Sequence, residues 1–437
     1  MIKQFQFIYI TAIFISISCV DRFVIPSDIN SSDTVNFGAG DTTFLQINPL
    51  WDIQYGMEQP TEISIAQDGR IFVADKERNS ILVLEQNGEI PIGFEDLLDL
   101  TDNTGSLVSP IDVDIDKKMN VFFIDGSNRI FVWNQFWNHT GINRVSTSGT
   151  FKHSLTGLDT TVNAGTDIWI ALLNNQDWEL ISTELENNNS LIDSLQQPHI
   201  FYDGSSGVNK YLDTYYDSDS SLFSALTSSG DDENKIFVTD NFGGFNNQHR
   251  ILQIDFKKSL LLELSSGDYV WSFIGHYGST VKGFGTGAGT VNEPMSLDVD
   301  YQGNLYYTQT GDYFPVHKIS PNLSGDFAIY TSGFQPEADD IMNSEMFNFP
   351  TDVAIDNKMN TYVVDQMNRD VTVFTSGGDF FKKAGYENTD NSLSILNEPV
   401  AVAVDQRGVL YVCDKGNGAI YRFKLSNTLN DEITLED

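Results

Sequence analysis

From about residue 45 onward, apolar and polar positions alternate with a period of two. The runs are short and are cut by turns rich in Gly, Asn and Asp. That pattern predicts short antiparallel strands, and no segment carries the 3.6-residue period of a long amphipathic helix. The strands recur as a unit. PTEISIAQDGRIFVADKERNSILVL starts at Pro60, PIDVDIDKKMNVFFIDGSNRIFVW at Pro110 and EPMSLDVDYQGNLYYTQTGDYFPVHKI at Glu293. FPTDVAIDNKMNTYVVDQMNRDVTVF starts at Phe349, EPVAVAVDQRGVLYVCDKGNGAIYRF at Glu398, and a looser copy at Ser221. Each reads as turn, alternating strand, polar turn, second strand ending in Asp, short loop, third strand.

A period of about fifty residues between copies matches one four-stranded blade of a propeller, whose sheets bury their faces against their neighbours. The fold class is therefore all-β, a β-propeller of six or seven four-stranded blades. Residues 155–215 decide the count. Strand-like runs at 166–172 and 178–182 read as a degenerate blade followed by a polar insertion, and this favours seven. The copies at Ser221 and Glu293 lie further apart, which predicts a long Gly-rich loop from Gly275 to Gly289. The last copy ends after its third strand, at about Leu425, so Thr43–Ile47 is expected to supply the missing outer strand and close the ring.

The turn Asp405-Gln406-Arg407-Gly408 leading to Asp414 is the fullest copy. Asp356 leading to Asp365 and Asn368, and Asp116 leading to Asp125 and Asn128, follow it. These motifs resemble the NHL repeat, and the resemblance spans about residues 45–425. It implies a propeller that presents loops at one face to proteins, peptides or glycans. It also implies an alternative, because some NHL-type propellers are metal-dependent lyases with histidines on the axis. Gluconolactonase-like propellers use a Glu/Asp/Asn metal site. Neither ligand set maps onto a motif here. The six histidines (His139, His153, His199, His249, His276 and His317) show no short metal spacing.

The chain has 437 residues with 25 basic and 61 acidic side chains, a net charge of −36. Nucleic-acid affinity rests on Lys and Arg neutralising phosphates, so this charge excludes nucleic-acid partners. Residues 1–18 read as a signal peptide, since the apolar stretch from Phe5 to Ile17 is too short for a membrane span of about twenty residues. Ser16 and Ser18 before Cys19 resemble a bacterial lipobox, which makes Cys19 the lipidation site, with plain secretion as the alternative. Residues 19–42 form a flexible tether, 43–425 the NHL-like propeller and 426–437 an acidic tail. The expected location is extracytoplasmic, in a bacterial cell envelope, with membrane contact only through the lipid. Cys413, the other cysteine, lies in an apolar run and reads as a buried thiol.

The strand-end residues Asp75, Asp125, Asp240, Asp365 and Asp414 recur once per copy, and Gln309 breaks the series. A once-per-blade carboxylate is read as structural, accepting amides of the following turn. Calcium is the candidate cation, with Asp213, Asp217 and Asp219 as the best local acidic cluster and Glu337, Asp339 and Asp340 as a second; neither completes a calcium loop. Trp133, Phe136 and Trp137 are the densest aromatic group near a loop and the candidate binding patch. The functional expectation is a non-catalytic binding or scaffolding module. The alternative is a metal-dependent hydrolase or lyase at the mouth of the central channel.

Overall fold

The computed structural model describes residues 42–426 apart from 92–98, 103, 118, 135–141, 154–158, 174–176, 181–197, 206–220, 229–233, 245–247, 264–268, 312, 325–326 and 389–391. The signal-peptide, Cys19, tether and tail assignments lie outside the described residues, as do Phe136, Trp137, Asp213, Asp217 and Asp219.

Six antiparallel sheets follow one another along the chain. Blade 1 holds Pro60–Ile65, Ile71–Asp75 and Ser80–Leu84. Blade 2 holds Asp112–Ile115, Asn120–Ile124, Arg129–Asn134 and His199–Asp203, and blade 3 holds Phe223–Ser228, Lys235–Asp240, Arg250–Glu263 and Tyr269–Lys282. Blade 4 comprises Asp298–Val299, Leu305–Thr308, Val316–Ser324 and Phe327–Ser332; blade 5 comprises Pro350–Ile355, Thr361–Asp365, Asp370–Phe374 and Phe380–Ala384. Blade 6 comprises Pro399–Val404, Val409–Asp414 and Ala419–Leu425, and its fourth strand is Phe44–Trp51, with Phe44 opposite Leu425 and Trp51 opposite Ile420. The first strand of every blade is innermost, and these inner strands pack in ring order from blade 1 to blade 6 and back to blade 1.

The expected seventh blade is absent. Asp159–Leu173 and Asp177–Leu180 do form strands, but they pair with each other and with Ile142–His153. The three strands sit as an insertion between the third and fourth strands of blade 2, whose outer strand is His199–Asp203 paired with Arg129–Asn134. Alternation marks a segment as a strand without naming its partner, which is why this insertion read as a blade. Gly275 is also not in a loop. It belongs to Tyr269–Lys282, which pairs with Arg250–Glu263 along a hairpin running past the second strand of its blade.

The local chemistry explains the repeat. In blades 1, 4 and 6 the first hairpin turns on Gly69, Gly303 and Gly408, all at positive φ. In blades 2 and 5 Met119 and Met359 take that conformation, which costs a side-chain residue about 1 kcal/mol. The turn aspartate offsets the cost. Asp116 Oδ1 accepts the Asn120 amide and Asp356 Oδ1 the Asn360 amide, each at 2.8 Å. The second and third strands are apolar on both faces because each blade is covered on both sides. Six apolar cores form, one between each pair of consecutive blades, the last joining blade 6 to blade 1 through Tyr411, Ile420, Trp51 and Leu82.

Candidate functional site

All second strands end at the same edge of the ring, at or next to the recurring aspartates, and the inner strands begin there. Asp75 lies opposite Pro60, Asp365 opposite Pro350 and Asp414 opposite Pro399. This edge is called the aspartate end. Asp414 accepts the amides of Asn397 (2.7 Å), Glu398 (3.0 Å) and Asn417 (3.0 Å), and the Asn417 side-chain amide at 2.9 Å. Asp365 repeats the set with Asn348, Phe349 and Asn368, and Asp75 with Glu58, Gln59 and Arg78. Asp240 accepts the Leu222 amide and pairs with buried Arg250 at 3.1 Å; Asp125 pairs with Arg129 at 2.9 Å. Asp75, Asp240, Asp365 and Asp414 thus tie the loop feeding the inner strand to the turn that follows the second strand, whereas Asp125 bonds within its own turn, to the Ser127 amide and Arg129.

Blade 4 solves the same problem without charge. Gln309 Oε1 accepts the Asn292 amide at 2.9 Å, and its Nε2 donates to Phe314 O. Beside it His317 is buried, stacked on Tyr307 with ring centroids 4.8 Å apart. Its Nδ1 accepts the Gly289 amide at 2.9 Å, so the proton sits on Nε2, which donates to Phe314 O. Burial holds the imidazole at about 4, well below the ordinary histidine value.

The inner strands carry a second polar pattern. Positions two and four residues after the strand-opening proline face the axis. In the outer layer these are Glu62, Asp112 and Asp352, with Ser296 in blade 4. In the deeper layer they are Ser64, Asp114 and Asp298, with Thr227 in blade 3. All of these but Ser296 line a cavity of about 180 Å³ to which the inner strands of all six blades contribute, and among the described residues no Lys, Arg or His lines it. The carboxylates are committed between blades. Asp112 accepts the Leu226 amide at 2.8 Å and Asp352 the Val402 amide at 2.7 Å. One layer deeper, Asp114 accepts the Ser228 amide at 2.6 Å and Asp298 the Ile355 amide at 2.8 Å. Ser64 donates to Asp114 at 2.6 Å.

Burial in this cavity, with like-charged neighbours, favours the protonated acids. Asp298 is pushed up to about 8 by burial and then by Asp114, and Asp352 to about 7 by burial. Glu62 and Asp112 lie well above the carboxylate range, burial again leading, followed for Glu62 by the charge of Asp352. Among the described residues no group of three or more His, Cys, Asp or Glu is arranged to hold a metal ion.

Glu337, Asp339 and Asp340 lie on a surface loop where Asp339 accepts the Gln335 amide and Asp340 the Phe380 amide. Trp133 is half-buried on the strand Arg129–Asn134, opposite Val121, and packs against the core between blades 1 and 2. Cys413 is fully buried in blade 6, and burial raises its thiol. The channel acids were missed by sequence reading. Their signal is an acidic residue at alternate positions of an otherwise apolar strand, as in PIDVDID and PTDVAID.

The aspartate end also gathers apolar surface. Of thirteen large apolar side chains exposed among the described residues, seven (Ile53, Leu107, Leu222, Phe284, Tyr313, Met367 and Leu393) lie on loops at this end.

No protein-family model matches the sequence, and no curated protein matches it. Among solved structures, the chain is similar to an auxiliary nutrient binding protein from Bacteroides thetaiotaomicron, at 8% identity and a TM-score of 0.46, covering 85% of this chain and 70% of that one. It is similar to a gluconolactonase from Xanthomonas campestris at 10% identity and a TM-score of 0.44, covering 90% and 99%. It is similar to virginiamycin B lyase from Staphylococcus aureus at 12% identity and a TM-score of 0.43, covering 88% and 99%.

Proposed function

We propose that this chain is a non-catalytic binding module that presents the loops of its aspartate end to a protein, peptide or glycan. The observation that carries this reading is the concentration of exposed apolar side chains on those loops, from seven different inter-strand connections around the ring. Exposed apolar groups at one end of a rigid scaffold supply the anchors that a partner can bury. The channel supports the same reading. Its Asp112, Asp114, Asp298 and Asp352 are engaged with backbone amides of the next blade, which suits holding the ring together better than gripping a metal for a hydrolase or lyase.

The module is tethered outside the cytoplasm. Residues 1–18 direct export, lipid on Cys19 anchors the chain, residues 19–42 span the gap to an NHL-like propeller over 43–425, and 426–437 trail as an acidic tail. Pairing of Phe44–Trp51 with Ala419–Leu425 supports closure of the ring by its N-terminal strand. No helix among the described residues is long and apolar enough to cross a membrane.

The test is binding of the purified chain to glycan and peptide arrays beside the double variant Tyr313→Ser, Met367→Ser. Both side chains are about two-thirds exposed, so the variant should keep the wild-type unfolding midpoint and lose the bound ligands. Ligands retained unchanged by the variant, or turnover of a lactone in place of binding, would overturn the reading.

A further inference from the structure

Phe44, the first residue of the closing strand, lies opposite Leu425, at the end of the ring away from the aspartates. The residues before Phe44 therefore join the propeller at that end. The blade 2 insertion leaves after Asn134 and returns at His199, both at the same end. Next to it, the blade 3 hairpin overruns its sheet in the same direction. Asp255 is the last residue of Arg250–Glu263 with a partner on Lys235–Asp240. From Phe256 opposite Gly275 to Glu263 opposite Tyr269, the two strands pair only with each other among the described residues. Eight residues at about 3.4 Å each give an overrun of about 25 Å.

The base of the overrun is fixed, and its distal half has no third strand among the described residues. Phe256 packs on Phe122 and Phe201, with ring centroids 5.4 and 5.1 Å away, and a Cβ on Gly275 would stand 2.8 Å from the Phe201 ring. One residue further out, Ile274 is 44% exposed, and Lys257 opposite it is exposed too. Beyond them the sequence turns apolar. Residues 260–262 are Leu-Leu-Leu and 269–274 are Tyr-Val-Trp-Ser-Phe-Ile, with Leu260 opposite Trp271 and Leu262 opposite Val270. A bare two-stranded hairpin is marginal in water, so an apolar one needs a cover. Lysines 257 and 258 at the base, followed by aliphatic and aromatic residues, repeat the order of head-group cations and apolar anchors in interfacial segments. The apolar stretch covers about 15 Å of strand, enough for an interfacial depth of about 5–10 Å and too short to cross about 30 Å of hydrocarbon.

We propose that the end of the ring opposite the aspartates faces a lipid bilayer, and that the distal half of the blade 3 hairpin, residues 260–262 and 269–274, lies in the bilayer interface. The direction rests on the tethered reading above. A lipid on Cys19 and the tether 19–42 reach the ring at this end, so hairpin and tether meet one surface while the aspartate end stays free for its partner. The net charge of −36 opposes an anionic surface, so the contact works by apolar burial and suits a zwitterionic one.

The test is tryptophan fluorescence of the full chain on phosphatidylcholine vesicles, with and without bromine on the acyl chains, beside Trp271→Phe. Bromine quenches indoles that lie in the bilayer. The wild type should lose fluorescence on brominated vesicles, and most of that loss should vanish in Trp271→Phe, which removes one of six indoles. Unlipidated residues 20–437 keep every strand of the ring and give a second readout. They should float with the same vesicles, and Trp271→Ser, Phe273→Ser should bind at least about tenfold more weakly with an unchanged unfolding midpoint in buffer. The two readings fail separately. A full chain that binds vesicles with equal quenching in wild type and Trp271→Phe keeps the tether and overturns the hairpin contact; an N-terminus that carries no lipid by mass spectrometry, with Trp271 still quenched, overturns the tether alone. No binding by residues 20–437 would overturn the proposal. So would a midpoint lowered by the double variant, since the chain itself would then cover the hairpin, or a wild-type dimer in buffer that the variant breaks, since the cover would then be a second copy.

Discussion

The Asp352 carboxylate accepts the backbone amide of Val402, fifty residues on in the next blade, at 2.7 Å. Asp112 does the same for Leu226 at the equivalent position of blades 2 and 3. An inner strand has a sheet partner on one side only, and its amides toward the next blade would otherwise lack acceptors near the axis. Side chains two and four residues into the strand supply them, so the acids of the channel join blades that share no backbone ladder.

This relationship separates two substitutions at one site. Asp352→Ala strands the Val402 amide and should cost about 1–3 kcal/mol in urea unfolding. Asp352→Asn keeps an acceptor oxygen and removes a charge that the cavity disfavours, so above pH 7 it should cost less than the alanine or raise stability. Equal losses for the two variants would mean that the hydrogen bond to Val402 is not what the residue contributes.

The same acids set an alkaline limit. Asp298 near 8 and Asp352 near 7 are raised above the unfolded carboxylate value. The folded state therefore holds protons that the unfolded chain has released. The stabilisation is full below about pH 4 and is lost as pH rises through 7 and 8, with a slope of at most about 1.4 kcal/mol per pH unit for each group. Unfolding free energy measured from pH 5 to pH 9 should fall, and Asp298→Asn should flatten the upper part of the curve. An unchanged slope in the variant would show that Asp298 ionises normally in the channel.

Much of this architecture was legible from sequence because the repeat writes the same turn and strand-end residues into each blade. The first hairpin turns, the strand-end aspartates and the period of about fifty residues identify blades 1, 2, 5 and 6. Blade number was not legible, since Asp159–Leu173 alternates like a blade strand and only its pairing with Ile142–His153 reveals an insertion. The channel acids escaped for a related reason. Asp112 and Asp352 sit in the quoted repeats, but that they converge on one axis follows from ring closure, not from spacing.

His317 sets the opposite limit. Its folded value of about 4 lies below the ordinary value of 6.5, so the unfolded chain takes up a proton that the folded chain refuses. Its contribution to stability is complete above pH 6.5 and is lost as pH falls from 6.5 toward 4, a range in which Asp298 and Asp352 contribute with the opposite sign. The His317 part therefore shows as a difference between variant and wild type: the stability of His317→Gln relative to wild type should rise as pH falls from 6.5 to 4 and stay constant above pH 7. Both proteins can be followed in one thermal-melt series across pH. A difference that does not change with pH would show that His317 is not the group that refuses the proton.

Asp414 tests the strand-end carboxylates. It gathers three backbone amides and one side-chain amide, and it is fully buried. Alanine leaves the Asn397, Glu398 and Asn417 amides without their acceptor, and hydrogen bonds to a charged group contribute about 1.5–3 kcal/mol each. Asp414→Ala should therefore cost at least about 3 kcal/mol, a larger loss than Asp352→Ala, whose carboxylate serves the Val402 and Val353 amides. Asp414→Asn should fall between wild type and alanine, because one oxygen still accepts while its new NH2 faces donors. Blade 4 indicates what rescue requires: Gln309 works there with one accepting oxygen because its NH2 has a carbonyl, Phe314 O, to serve. Chemical unfolding of the two Asp414 variants decides the matter, and an asparagine as damaging as alanine would mean that the charge, not the acceptor geometry, holds the loop.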